Sequence, residues 1–93
     1  MPDYRVTCIN KPHSLSPHEH ITHIGGLGWR ITRDEAIQRI DAGSDRFYVE
    51  DPLTNKIAFV GVVRELGKVR FLRTYADGYW NDNLLSLGQC SIY

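Results

Sequence analysis

The sequence predicts a small α+β domain in which an antiparallel sheet of three to five strands, arranged as a meander, is crossed by one main α-helix. Residues 46–50, 57–64 and 69–74 are β-prone stretches separated by turn residues, which is the pattern of a meander. A helical segment with start and stop signals precedes them. At 93 residues the chain is too short for two self-sufficient cores, so we expect a single domain, 1–93.

The first strand is predicted over residues 4–9, where the side chains alternate. Tyr4, Val6 and Cys8 share the face that we expect to meet the core. Residues 10–12 end this strand. The stretch 13–28, with prolines, serines and glycines at irregular spacing, predicts a long loop with a short extended piece around residues 21–24.

The helix is the clearest local signal in the chain. Thr32 and Glu35 fit the capping-box pattern, with Thr32 as N-cap. The pattern predicts a helix over residues 33–42 that Gly43 ends in a left-handed conformation. Its buried stripe consists of Ala36, Ile37 and Ile40.

The three later strands follow in order. Residues 46–50 place Phe47 and Val49 on one face, and residues 57–64, nearly all apolar, are predicted to be the central strand, covered on both faces. Turns are expected at 51–55, 65–68 and 75–83. Residues 84–87 would form one helical turn that fills the core, and residues 90–93 a short terminal strand.

The composition limits the class of partner and compartment. Eleven basic and eleven acidic side chains cancel, and nucleic-acid binders usually carry a basic excess, so nucleic acid is disfavoured as a partner. One basic cluster is more simply the solvated face of a hairpin: Arg64, Lys68, Arg70 and Arg73. Without a signal-peptide pattern or a membrane-spanning run, and with two cysteines, the chain is expected to be soluble and cytoplasmic.

All four histidines lie between residues 13 and 28. His18, His20 and His23 would be the metal ligands, with Cys8 and Cys90 closing a tetrahedral site if the two ends of the chain meet. The spacing fits no established zinc signature, so we expect neither a metal nor another cofactor. A small metal-dependent hydrolase or nuclease that uses this loop stays open as an alternative function.

The chain resembles DUF3892, a bacterial family whose name stands for domain of unknown function, over nearly its whole length. The resemblance rests on residues in this order: Cys8-Ile9, Ile21-Thr22-His23-Ile24-Gly25-Gly26, Trp29-Arg30-Ile31-Thr32, Glu35-Ala36-Ile37, Ile40, Gly43, Phe47-Tyr48-Val49, Thr74, Ala76-Asp77-Gly78, Asn83-Leu84-Leu85-Ser86-Leu87 and Cys90. It implies no activity, because the family is named for lacking one. Of the four histidines, it selects only His23.

Cys8 and Cys90 form the expected structural pair, which would join the first and last strands. The pair is either a disulfide or two packed thiols. In a reducing compartment, we expect the packed thiols.

The candidate site is a mouth lined by aromatic and polar groups. Trp29, Tyr79 and Trp80 would stack on a planar ligand, while His23, Arg30 and Asp77 would contact its polar edge. The remaining candidates are Gly25, Gly26 and Asn83. The structural alternatives are that the glycines permit tight turns, Asp77-Gly78 is a turn signal and Asn83 caps the leucine turn.

No nucleophile, base and orienting group stand out together, so we expect no catalytic residues and no enzyme. The predicted function is a small binding or interaction module of a bacterium or phage. Its partner would be a nucleotide-like small molecule or another protein. A nucleic-acid-binding protein is a further alternative, and a homo-oligomer is left open.

Overall fold

The computed structural model describes residues 3–13, 16–76 and 78–90. It confirms the α+β class: one helix packs against a five-stranded mixed sheet and a three-stranded antiparallel sheet. The elements are β1 (Asp3–Arg5), β2 (Cys8–Asn10), a 3-10 turn (His18–His20), β3 (His23–Gly26), β4 (Trp29–Thr32), α1 (Arg33–Ala42), β5 (Arg46–Glu50), β6 (Ile57–Val63), β7 (Phe71–Ala76) and β8 (Tyr79–Asn81). The larger sheet has the order β1-β5-β6-β7-β8 and the smaller one β2-β3-β4.

The prediction of one continuous first strand is wrong, because the chain crosses from one sheet to the other at Val6 and Thr7. The amide of Val6 donates to the carbonyl of Tyr48 in the larger sheet, and the amide of Thr7 donates to Gly25 in the smaller one. The fully buried residues of this segment are therefore Val6 and Ile9, and burial does not follow the predicted alternation of Tyr4, Val6 and Cys8. β1 also pairs parallel with β5, so the larger sheet is mixed.

The prediction of a loop over residues 13–28 is wrong from residue 23 onward, where β3 begins and forms a hairpin with β4. Ile24 pairs with Ile9 on one side and with Ile31 on the other, and Ile9 and Ile24 are fully buried. Glycines make up half of β3, which hides the period-two pattern because they place no side chain on either face.

The helix prediction is confirmed at both ends. α1 spans residues 33–42, Thr32 Oγ1 accepts the amide of Glu35 at 3.1 Å, and Gly43 has a φ of 72°. Ala36 and Ile37 are buried, and Ile40 is half-buried against the same core. The described helix is too short to cross a membrane.

The meander of β5, β6 and β7 is confirmed, with β6 in the centre of the larger sheet. Ile57 is 47% exposed, however, so β6 is not covered on both faces as predicted. β7 begins two residues later than predicted, and the predicted turn 75–83 contains β8.

The turn after β8 fills the core as predicted. Leu84 is fully buried, and its amide donates to Oγ1 of buried Thr74 at 3.2 Å. From there the chain returns to β2, where Gln89 forms a parallel bridge with Ile9. The predicted terminal strand 90–93 falls mostly outside the described residues.

Candidate functional site

An open groove of about 1060 Å³ lies where the two sheets meet. Its walls come from β1 and the bend that follows, from the β3–β4 hairpin, and from the segment that returns to β2. The residues that define it are Tyr4, Arg5, Thr7, Gly26, Trp29, Arg30 and Gln89, together with the pair Cys8 and Cys90.

The aromatic wall of the groove is built by Trp29 and Tyr4. Their ring centroids lie 5.9 Å apart in an edge-to-face arrangement, and both rings also pack against buried Phe47. Gly26 makes this packing possible: a Cβ there would lie 2.4 Å from the carbonyl oxygen of Arg5 and 2.5 Å from Nε1 of Trp29. The glycine therefore serves a close approach, not a turn.

One cation of the groove, Arg30, has no carboxylate partner among the described residues. The chain has eight arginines, and seven of them pair with a carboxylate. The side chain of Arg30 is exposed and makes no ion pair or hydrogen bond within the described part of the chain. Asp3 adds little negative charge to the groove, because Arg46 holds both of its carboxylate oxygens at 2.8 and 2.9 Å.

The pair at the groove wall is a disulfide, which corrects the expectation of two packed thiols. Cys8 and Cys90 have an S–S distance of 2.06 Å. Gly25 lies directly against both sulfurs, since a Cβ there would be 2.9 Å from Sγ of Cys90 and 3.0 Å from Sγ of Cys8. The amide of Cys90 also donates to the carbonyl of Ile9 at 3.0 Å. The cysteines therefore no longer argue for a reducing compartment.

His23 lies on the hairpin beside this wall and does not line the groove. Its Nδ1 is 2.9 Å from Oγ1 of Thr22. Cross-strand pairing places His23 and Arg30 on the same face of the smaller sheet. Burial lowers the pKa of His23, and the positive charge of Arg30 lowers it further. The neutral form is thereby favoured.

The other histidines do not assemble a metal centre. His18 lies in the 3-10 turn, which packs against β7 of the larger sheet, with its Nε2 3.5 Å from a carboxylate oxygen of Asp82 and its ring beside Phe71. That contact is not aligned as a hydrogen bond, and burial followed by the charge of Arg73 lowers the pKa of His18. Within residues 3–13, 16–76 and 78–90, no three His, Cys, Asp or Glu side chains are grouped to hold a metal. The hypothesis of a site made by His18, His20 and His23 thus has no geometric support there.

The structure divides the predicted mouth into two. Gly25, Gly26, Trp29 and Arg30 share the hairpin, whereas Tyr79 and Trp80 lie on β8, at the opposite edge of the larger sheet from β1. Asp77 lies outside the described residues.

Asn83 does not cap the leucine turn with its side chain as predicted. Instead, the backbone N–H of Asn83 donates to Oδ1 of Asn81 at 3.1 Å. Asn81, the last residue of β8, is the capping residue, because its Oδ1 accepts the backbone N–H of Asn83 and the hydroxyl of Thr74.

Sequence reasoning missed Tyr4, Arg5 and Thr7 as groove residues. All three belong to a segment whose alternation indicates an ordinary strand, and no local motif marks the bend that exposes them.

Comparisons with known proteins agree with the resemblance. A family model described as "Protein of unknown function (DUF3892)" matches residues 5–88. No curated protein and no solved structure matches the chain.

Proposed function

Since the chain belongs to the DUF3892 family, whose description assigns no activity, we propose a function from the groove: this is a non-catalytic module that binds a small anion with a planar part, such as a nucleotide. The observation that carries the proposal is Arg30, whose guanidinium has no carboxylate partner among the described residues and which lines the same groove as Trp29 and Tyr4.

The anion would be held by Arg30. A guanidinium offers paired N–H donors that match two oxygens of a phosphate or carboxylate. Because Arg30 makes no ion pair with any described residue, a ligand would not have to displace one of their carboxylates from it. Arg5, on the other wall, lies 3.4 Å from Glu50 and is half-exposed, so it adds a second cation that a ligand can share.

The planar part would lie against Trp29 and Tyr4. Both side chains are only partly buried, and large aromatic faces stack on flat rings. Thr7 and Gln89 supply polar groups at the edge of the groove. This combination of an apolar wall with a few converging polar groups is typical of small-molecule sites.

A binding role fits these groups better than a catalytic one. Covalent catalysis needs a nucleophile with a base within reach. In the described lining of the groove there is no histidine, and both cysteines are held in the disulfide.

The test is a calorimetric titration with a panel of mononucleotides, each compared with its nucleoside and with inorganic phosphate. We expect the whole nucleotide to bind tighter than either part, and Arg30→Gln to weaken binding at least about tenfold, as for a lost charged hydrogen-bond pair. Arg70→Gln is the matched control, because Arg70 is exposed and lies on Asp41, away from the groove. Equal affinity in Arg30→Gln and wild type, or no binding by any member of the panel, would overturn the proposal.

A further inference from the structure

The outer face of the smaller sheet, which is the face turned away from the core, carries the disulfide and Arg30 in one row. Cys8 of β2 pairs with Gly25 of β3, and Gly25 pairs with Arg30 of β4. Directly paired residues point to the same side of a sheet. The neighbouring residues Ile9 and Ile24 point to the other side and are fully buried in the core. The sulfurs and the side chain of Arg30 therefore share the outer face.

Gly25 places no side chain between the sulfurs and Arg30. A Cβ at residue 25 would lie 2.9 Å from Sγ of Cys90 and 3.0 Å from Sγ of Cys8, so the disulfide covers the space above the glycine. Adjacent strands lie about 4.8 Å apart, so the bond is about one strand spacing from the backbone of Arg30. A long, flexible arginine side chain spans such a gap. Its charge is available, because it makes no ion pair with any described residue.

The groove exposes the disulfide to solvent in positive surroundings. Both cysteines line the groove, where Cys8 is half-buried and Cys90 is 7% exposed. The described lining contains two arginines and one carboxylate, that of Asp3, and Arg46 holds this carboxylate. Partly exposed sulfurs near cations are typical of reactive cysteines, and exposed disulfides are more easily reduced than shielded ones.

We propose that the Cys8–Cys90 disulfide is a thiol–disulfide exchange site, and that its co-reactant is a small thiol that carries a further negative charge. Arg30 attracts this thiol to the groove and stabilises the negative charge that the sulfurs share during the exchange. This role needs only the charge of Arg30, so it holds whether or not a nucleotide binds in the groove. It goes beyond binding, because the covalent state of the chain itself changes.

The reaction consists of two exchanges. The thiolate of one co-reactant attacks Sγ of Cys8, the more exposed cysteine, and forms a mixed disulfide with it. The bond to Cys90 breaks, and Sγ of Cys90 takes its electron pair and then a proton. A second thiolate attacks the co-reactant's sulfur in the mixed disulfide and releases Cys8, which is protonated in turn. Two co-reactant thiols are thereby oxidised to one disulfide, and the protein disulfide is reduced to two thiols.

The charge of Arg30 makes the exchange selective among thiols. Every attacking thiolate carries one negative charge. A carboxylate on the same molecule adds a second, whereas an ammonium group cancels the first. A unit charge about 7 Å from a guanidinium in water changes a rate by about threefold when little salt is present. Thiols of similar size but different charge should therefore depend on Arg30 to different extents.

Reduction of the folded, oxidised protein by mercaptopropionate, mercaptoethanol and cysteamine tests the proposal. For each thiol, the rate constant of Arg30→Gln is divided by that of wild type, which cancels the reactivity of the thiol itself. At low ionic strength we expect Arg30→Gln to slow the three reactions about tenfold, about threefold and hardly at all, in that order. Arg30→Lys, which keeps the charge, should lose little. Arg70→Gln is the matched control, because Arg70 lies on Asp41.

Peptide mapping supplies a second measurement that needs no substitution. The reaction of wild type with mercaptopropionate is stopped with acid, free thiols are alkylated, and the peptides are identified by mass spectrometry. We expect the mixed disulfide on Cys8 and the alkyl group on Cys90. A mixed disulfide confined to Cys90 would overturn the proposal, as would equal slowing of all three thiols by Arg30→Gln. Equal losses in Arg30→Lys and Arg30→Gln, or reduction only of unfolded protein, would overturn it as well.

Discussion

Replacing Gly26 by alanine should destabilise the fold strongly, because the added methyl group has no space. A Cβ at Gly26 would lie 2.4 Å from the carbonyl oxygen of Arg5 and 2.5 Å from Nε1 of Trp29. Ordinary contacts between such atoms begin well above 3 Å. The obstacle at Arg5 is backbone in a paired strand, so a side-chain rotation cannot relieve it.

The expected cost follows from that geometry. Overpacking by one methyl group typically costs about 1–3 kcal/mol, and we expect the top of this range, about 3 kcal/mol, because both neighbours are fixed. Gly26 separates β1 from Trp29, which in turn packs on Phe47, so the strain reaches the core. For a domain of this size, the corresponding fall in Tm is about 12 °C or more.

Urea unfolding of the oxidised protein, followed by far-UV circular dichroism, measures the free energy directly. Gly88→Ala is the matched control, because no atom lies within 4 Å of its added Cβ and its φ is not positive. It should change the free energy of unfolding by no more than about 0.5 kcal/mol. If Gly26→Ala stays within 1 kcal/mol of wild type, or if Gly88→Ala loses as much, the close-approach argument fails.

Three further predictions concern pH, capping and the disulfide. Burial lowers the folded-state pKa of His18 below 6.5, so the unfolded chain binds the proton more tightly and stability should fall as pH drops below about 6.5. In His18→Gln the free energy of unfolding should depend less on pH below about 6.5, whereas His20→Gln, at an exposed position, should keep the wild-type dependence. An unchanged pH dependence in His18→Gln would contradict the role given to His18. Thr32→Ala should lose about 1 kcal/mol in urea unfolding and Thr32→Ser much less, and equal losses would argue against the cap. Reduction of the disulfide, which spans 82 positions, should lower the Tm of wild type and reduce its free energy of unfolding by up to about 4–5 kcal/mol. The Tm of the Cys8→Ala/Cys90→Ala double variant should not change on addition of reductant. The same shift in both proteins would refute this prediction.

The elements that could be predicted from the sequence are those with local causes. The helix of residues 33–42 is marked by its own cap, by its stripe of apolar residues and by Gly43. The strand β5 shows its period through Phe47 and Val49, and β6 is a continuous run of apolar residues rich in β-branched and aromatic side chains. Such signals are complete within about ten residues, so they do not depend on where the chain goes next.

The features that could not be predicted arise from pairing between distant segments. β3 has two glycines among four residues and acquires its burial only because Ile24 lies between Ile9 and Ile31. Arg5 looks like a solvent-facing strand residue, and it becomes a groove residue only where the chain bends between two sheets. Likewise, Trp80 packs against Tyr75 through cross-strand register, which no local pattern specifies.

The groove and the closure of the fold depend on the same contacts. Across the smaller sheet, Cys8 pairs with Gly25, and Gly25 pairs with Arg30. The disulfide packs on Gly25, so the bond that joins the two ends of the chain also sets the strand that positions Arg30. Gly25 and Gly26 are therefore needed for close packing. A side chain at residue 25 would push the hairpin away from the disulfide, and one at residue 26 would push it away from β1. The position of Arg30, the arginine proposed to bind an anion, therefore depends on the disulfide and the strand pairing together, and not on a loop of its own.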